Sequence, residues 1–466
     1  MSKIYVFGIG GTGSRVLRAL TMLLASGVEC KADVIVPIII DPDSSAGDVE
    51  RTVRLMQKYG EIRKKLIFDT KKENRFFKTD IRETMLNFRL PLSNTQDVLF
   101  DKYMSVNEMS RENKAVVNML FSQDNLQSDM KVGFKGNPNV GSVVLNQFDD
   151  SSEFLNFANE FNPEDKIFII SSIFGGTGAS GFPLLLKTLR TGNKFANQAL
   201  VNNAHIGAIT VLPYFQVKQD ENSKIDSATF VSKAKSALAY YERAISRNND
   251  IDNLYYIADT SRTTYDNCEG GTDQKNNAHF VEMMSAFALI DFANSQKPAT
   301  TIHKEFGIET DTGNIIYANL GKAAKGMCKS MSQFLLFAKY LNENKTANFL
   351  DKPWVKDRDL KDLFGQEYCD TLKEVQQEFL HWLGEMTVQD RKFKALKLHK
   401  DSDRVFDLIE GSEPKKVISL DSNFKLFNNR LNGQGGKSKT GEKEQQLMEL
   451  FFLATQQLVK EKLNIE

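Results

Sequence analysis

Cysteine, histidine, tryptophan and proline are all thin in this chain, and neither charge sign prevails. Its 466 residues include four cysteines, five histidines, two tryptophans and ten prolines. Cys30, Cys268, Cys328 and Cys369 stand far apart, without the paired spacing of a zinc site or the density of a disulfide scaffold, so they read as reduced thiols of a cytoplasmic protein. The histidines (His205, His279, His303, His381, His399) form no HExxH and no Ser/His/Asp pattern, so the chain lacks the signatures of zinc and serine hydrolases. Sixty basic residues balance sixty acidic ones, which excludes the overall positive charge expected of a protein that coats nucleic acid. No apolar run reaches the roughly eighteen residues a membrane span needs. The first residues, MSKIYVFGIGG, are too briefly apolar for a signal peptide.

What the chain does have is core-forming residues and glycine turns. Hydrophobic residues at 41% and charged residues at 26% describe an ordinary globular protein, and the length predicts two domains. Residues 3 to 9 are β-branched and aromatic and predict a buried strand. Glycines then open a helix with apolar positions at Val16, Leu17 and Leu20. VIVPIII at 34 to 40 predicts a second buried strand ending at Asp41 and Asp43, giving a βαβ unit with parallel strands. The carboxyl ends of such strands are where ligands bind.

From about 50 to 130 the pattern is charged and helical, and we expect an inserted helical layer. KIFIISSIFGGTGASGFP at 166 to 183 brings the strand, glycine loop and helix pattern back. AHIGAITVLPYF at 204 to 215 and LYYIAD at 254 to 259 predict more strands, with a helix over 225 to 246 between them. The expected fold is a doubly wound, mostly parallel α/β domain over 1–298, followed by a helix-rich α+β domain over 299–466. The long apolar helix pattern of 276 to 293 is expected to lie against the sheet, with Asn276 or Asn277 as N-cap. The polar, glycine-rich stretch 428–444 predicts a mobile loop. Phe379, Trp382, Leu450, Phe451 and Leu453 read as core or as a partner surface on the C-terminal helices.

Two loops carry the chemistry. Gly8-Ile9-Gly10-Gly11-Thr12-Gly13-Ser14 is a GxGxxG between strand and helix. Glycine lets the main chain approach phosphate oxygens, and free N–H groups at a helix start favour anions. Taken alone, this loop suits a dinucleotide, another nucleotide or an unoccupied turn equally. Gly175-Gly176-Thr177-Gly178-Ala179-Ser180-Gly181 repeats the arrangement from a distant part of the chain, so one phosphate chain can be held from two sides. Neither loop has the lysine of GxxxxGK[ST].

GGTGASGFP at 175 to 183 resembles the GGTGTG loop of the tubulin/FtsZ family, with which GIGGTGS at 8 to 14, IDPDSS at 40 to 45 and GFKGNPNVG at 133 to 141 agree in order. The resemblance is to divergent bacterial members of that family and covers roughly 1 to 293. It implies a guanine nucleotide, GTP or GDP, whose phosphates meet Gly10, Gly11, Thr12, Gly13, Ser14, Gly136, Asn137, Gly175, Gly176, Thr177, Gly178 and Ala179. Asp41 and Asp43 would orient Mg2+ through the phosphates. By the same resemblance Asp259 and Asn277 (or Asn276) hold the base, with a turn aspartate and a plain N-cap as the alternative readings. It also implies self-association into filaments and a slow GTPase. The acidic NxDxxD-type loop that completes hydrolysis in polymerising relatives is missing, and only Glu305, Glu309 and Asp311 lie in that region, so the catalytic residues are left unassigned. Two other readings stay open. GIGGTGS with Asp41-Pro42-Asp43 also resembles the ATP-binding part of ThiF and ubiquitin-activating enzymes, although no SNLNRQ-like segment follows. A non-catalytic scaffold that uses its C-terminal helices to bind a partner is the third.

Overall fold

Strands β1 (Lys3–Ile9) and β2 (Val34–Ile40) are unbroken apolar runs, the pattern of strands covered on both faces, and in the computed structural model both are buried almost throughout. The structure describes residues 2–463 apart from 44, 70–71, 96, 131–132, 135, 220–226, 260–262, 267, 269, 307, 309–311, 399–405, 411–421 and 435–440. β3 (Asp80–Ile81), β4 (Lys166–Ser172), β5 (His205–Val211), β6 (Asn253–Ile257) and β7 (Ile302–Glu305) complete a seven-stranded sheet in the order β3-β2-β1-β4-β5-β6-β7. Every pairing in it is parallel. β1 therefore lies inside the sheet between β2 and β4. Both glycine loops, which follow β1 and β4, leave from neighbouring strand ends.

Helices cross between the strands. α1 (Gly10–Ala25) follows β1 and α2 (Gly47–Lys64) follows β2. Within the segment expected as an inserted layer, β3 returns to the sheet edge and α3 (Arg111–Leu120) is exposed except at half-buried Lys114 and buried Val117. α4 (Pro138–Val144) and α5 (Ser152–Asn159) precede β4, and α6 (Gly176–Thr191) follows it. α7 (Phe230–Tyr241) lies between β5 and β6. The central helix α8 (Phe280–Ala293) is apolar all round and buried at most positions, as expected of a helix enclosed by other layers. It packs on α1 and on β5 and β6.

β7 lies past residue 298, so the sheet runs through the expected domain boundary. Beyond it stand α9 (Lys322–Glu343), α10 (Glu367–Thr387), α11 (Asn423–Gly433) and α12 (Lys443–Leu458). Phe379, Trp382, Leu450, Phe451 and Leu453 are all buried. Phe451 stacks on Phe337 at 4.3 Å between ring centroids, so these side chains are core. One correction concerns 428–444. Residues 428–433 are helical, because Ser422 caps α11 and Phe427 and Leu431, four residues apart, bury one stripe. Residues 435–440 of that segment lie outside the described residues.

Candidate functional site

α1 begins at Gly10, directly after β1, and the turn between them depends on two glycines. Gly10 has φ +72°, a conformation that side chains with a Cβ adopt only at a cost. A Cβ on Gly13 would lie 2.5 Å from the Gly8 carbonyl carbon, so helix and strand could not approach as they do. The second loop solves the same problem with different residues. α6 begins at Gly176, and a Cβ on Gly178 would come 2.5 Å from the Ser172 carbonyl oxygen.

The two helix starts share a chemical state. Ile9 caps α1 and Gly175 caps α6, neither with a side-chain hydrogen bond, and neither helix has an acid in its first turn. The starts of α3, α5 and α11 differ, since Ser110, Ser151 and Ser422 each accept there from a backbone N–H. The amino-terminal amides of α1 and α6 thus keep their positive ends available to an anion.

The loops also touch. A Cβ on Gly10 would be 3.4 Å from the Thr177 Cβ, and one on Gly176 would be 3.2 Å from the Gly136 nitrogen and 3.1 Å from the Asn137 nitrogen. Gly136, at φ +73°, has its carbonyl held by Lys233 at 2.9 Å. Three backbone segments far apart in sequence therefore meet in one place.

They enclose a cleft of about 180 Å³. Gly10, Gly11, Thr12, Gly133, Gly136 and Gly175 to Gly178 form one side, with Asp41 and Asp43 at its end. The facing wall is made of Phe215, Val217, Phe230, Asp266, Cys268, Gln274 and Asn276, with Arg15 at the floor. Gly13, Ser14, Asn137 and Ala179 do not line it. Ser14 is buried with its hydroxyl 3.4 Å from the Gly10 carbonyl, the Asn137 N–H donates to Phe134, and Ala179 faces a neighbouring groove between α4, α6 and α7. That groove is larger, about 740 Å³, but it faces neither helix start and lacks the converging amides, so the cleft is the candidate site.

The two acids differ. Asp43 is fastened, accepting from the Ser45 N–H and hydroxyl at 3.0 and 2.9 Å and from the Gly271 N–H at 2.6 Å. Asp41 accepts only the Asp43 N–H, at 3.0 Å, among the bonds described. Burial pushes its pKa up to about 7, with the neighbouring Asp43 charge adding to the rise. Among the described residues no three acidic, histidine or cysteine side chains are grouped to hold a metal by themselves. A divalent cation here would be shared with its ligand's oxygens, as suits Mg2+.

Arg15 has no part in the sequence expectations, yet it sits beneath the cleft in a buried network. It donates to Glu282 at 2.6 Å, to Asp48 at 3.2 Å and to the Tyr214 hydroxyl at 2.6 Å. Burial opposes its charge, but Tyr214, Glu282 and Asp48 outweigh it and raise the pKa well above the ordinary value. Arg51 continues the network from Asp48 to Glu385 of α10, and Arg18 meets Glu385 at 2.6 Å.

Of the residues expected to contact a base, Asn276 lines the cleft, while Asp259 and Asn277 are placed elsewhere. Asp259 has a fully buried side chain that pairs with Arg391, with His279 Nε2 at 3.6 Å. Asn277 is exposed and offers its backbone carbonyl to the Tyr265 hydroxyl at 2.8 Å. Neither lines the cleft, and neither asparagine caps the central helix. α8 starts at Phe280 and is capped by His279 in a capping box with Glu282. Burial lowers the His279 pKa to about 3, so the ring is neutral and Nδ1 accepts the Val281 N–H at 3.1 Å. Of the acids considered for hydrolysis, Glu305 is exposed on the edge strand β7, away from the cleft, and Glu309 and Asp311 lie outside the described residues.

No protein-family model and no curated protein matches the sequence. Solved structures do match at low similarity. CetZ from Methanosaeta thermophila strain DSM 6194 is 14% identical, with 64% of this chain and 56% of that one covered at a TM-score of 0.30. CetZ2 from Haloferax volcanii, described as a GTPgS-bound protofilament, is 13% identical over 64% of this chain and 60% of its own, also at 0.30. CetZ1 from Haloferax volcanii, a GDP-bound monomer, is 13% identical over 63% and 61%, again at 0.30. The matches span well under two thirds of those chains. A TM-score of 0.30 describes a loose superposition and fixes no residue correspondence.

Proposed function

We propose that this chain binds a guanine nucleotide, with the phosphates in the cleft between α1 and α6, in the manner the tubulin/FtsZ resemblance implies. The observation that carries the reading is the convergence of two helix amino-termini, both without a side-chain cap or a first-turn acid, on one cleft with the Gly136 turn. Amides supply most of the recognition, and no lysine is among the described lining residues. With Arg15 committed to its own network and Asp266 paired with Lys218 at 2.5 Å, Asp41 and Asp43 leave the described end of the cleft acidic. A polyphosphate therefore enters with Mg2+, which supplies charge neutralisation, Asp41 being the acid with the least fixed carboxylate. The cleft volume suits the phosphate chain, and the nucleoside extends along Asp266, Gln274 and Asn276. A carboxylate there accepts from guanine N1 and its amino group, where adenine offers no such pair of donors.

Hydrolysis is slow in this reading, and assembly into filaments is the state in which it is sought, because none of the described acids expected to complete it reaches the cleft. The adenylating alternative accounts for the first loop and Asp41 but gives the amino-terminus of α6 no task. Calorimetric titration of GTP and ATP in Mg2+ decides between them. We expect GTP to bind at least about tenfold more tightly than ATP, a difference of about 1.4 kcal/mol. ATP preference with pyrophosphate exchange would instead establish the adenylating reading, and binding of neither nucleotide would reject both. Sedimentation with and without GTP tests filament formation.

A further inference from the structure

Asp266, Cys268, Gln274 and Asn276 bring one chain segment to the wall that faces the two glycine loops. Its middle is held from nearby: Asp43 accepts the Gly271 N–H at 2.6 Å, and the Asp48 N–H donates to the Gln274 carbonyl at 2.9 Å. Its two ends are also tied to a segment more than a hundred residues later. Glu385, near the end of α10, accepts the Ala278 N–H at 3.0 Å. Gln389, only 2% exposed, donates to the carbonyls of Ala278 at 2.7 Å and Asn277 at 3.3 Å, and to the Tyr265 hydroxyl at 3.2 Å. The Asp390 N–H donates to Thr263 at 3.0 Å. Arg391 forms the ion pair with buried Asp259. Glu385 also fixes Arg51 at 2.9 Å, and Arg51 in turn donates to the Asn276 carbonyl.

These contacts share one target. They hold the backbone on either side of Cys268, Gln274 and Asn276, and none of them touches the glycine loops. Burial alone would raise the Glu385 pKa, but Arg18 and Arg51 outweigh it and lower it, so Glu385 serves as an anchor in its charged form.

We propose that Glu385, Gln389 and Arg391 are positioning residues for the nucleoside-facing wall of the cleft, so that the C-terminal part of the chain sets how well, and how selectively, the base is held. This rests on the nucleotide reading above. It separates two functions in space: phosphate affinity resides in the loops after β1 and β4, and base affinity depends on a wall tied to the C-terminal segment. By linkage, a ligand that contacts the wall steadies the segment in turn.

The test uses the full chain with two probes, GTP and inorganic tripolyphosphate, each with Mg2+. Gln389→Met keeps the side-chain volume but removes the Nε2 amide, whose two N–H groups are shared among three acceptors. We expect it to weaken GTP binding about tenfold, to move the GTP to ATP ratio toward one, and to leave tripolyphosphate affinity within about twofold. Arg391→Lys keeps the charge but loses the planar fork and should shift GTP in the same direction, less strongly, which gives a readout should Gln389→Met fold poorly. Equal losses for both probes would show a general structural role and overturn the proposal, as would unchanged GTP affinity in both variants. If the wild-type chain binds neither probe, the nucleotide reading itself falls and this inference with it. If the wild type binds tripolyphosphate but not GTP, the phosphate site stands and the positioning role is rejected.

Discussion

The two sides of the cleft are made in opposite ways. One side is backbone: glycines at strand ends, helix amides, and turns whose geometry follows from residues a few places apart. The other is side chains and borrowed anchors: Phe215 from the turn after β5, and Asp266, Gln274 and Asn276 on a strap held by Asp43 and Asp48 and, from a distance, by Gln389, Glu385 and Arg51. A site built from local turns is fixed wherever its strands pair. A wall held in part by distant contacts can be tuned without touching the strands, which is why the proposed reading gives binding to one side and discrimination to the other.

The sharpest way to break the comparison is on the backbone side. Thr177→Arg places a long side chain between the loops where Gly10 and Thr177 meet, and we expect nucleotide affinity to fall at least about a hundredfold, equivalent to about 2.7 kcal/mol, as read by calorimetry. Next comes a pair of glycines. Gly13→Ala would put a methyl 2.5 Å from the Gly8 carbonyl carbon and should cost about 1–3 kcal/mol in denaturant melts. Gly11→Ala meets no atom within 4 Å, so it should leave stability nearly unchanged while crowding the cleft it lines and lowering affinity.

Asp41 gives a smaller effect with a definite sign. Its pKa of about 7 in the fold lies above the ordinary 3.8, so between those values the folded state holds a proton that the unfolded state has released. Stability therefore falls as pH rises through that window and stays lower above about 7. Asp41→Asn should raise stability at pH 8 relative to wild type, by more than about 1 kcal/mol, with no gain near pH 4. The same variant should weaken the Mg2+ dependence of nucleotide binding. Smallest of all is Asn277→Ala. Its described contacts use the backbone carbonyl, so stability and affinity should stay within about 0.5 kcal/mol of wild type.

The same division explains what could be read from the sequence. The parallel sheet, both glycine loops and the carboxylates after β2 follow from apolar runs that end in glycine or aspartate, and each of those signals is contained within a few residues. The base-contact assignments fail on Asp259 because its ion-pair partner, Arg391, is 132 residues away in the chain, and nothing local marks the pair. Asn276 and Asn277 look like helix caps, but His279 takes that role because Glu282 completes a capping box with it, a use of histidine outside the usual preferences. Pro183 looks like the end of a segment and lies instead within α6. The carbonyl that proline leaves without a helical partner, that of Ala179, has the buried Tyr241 hydroxyl at 3.5 Å. Arg15 could have been noticed as a charge on the apolar face of α1, whose turns are otherwise buried.

The contact between Gln389 and the strap also bears on when the site comes into being. β1 is made first, β4 and the second loop emerge after more than 160 further residues, and the last anchors of the facing wall come only with residue 391. At about 5–20 residues per second, roughly 20–80 seconds separate the birth of the first loop from that of the finished wall. During that time the nascent chain holds a half-built cleft, so a nucleotide that needs both walls cannot guide the folding steps that come before residue 391 is made.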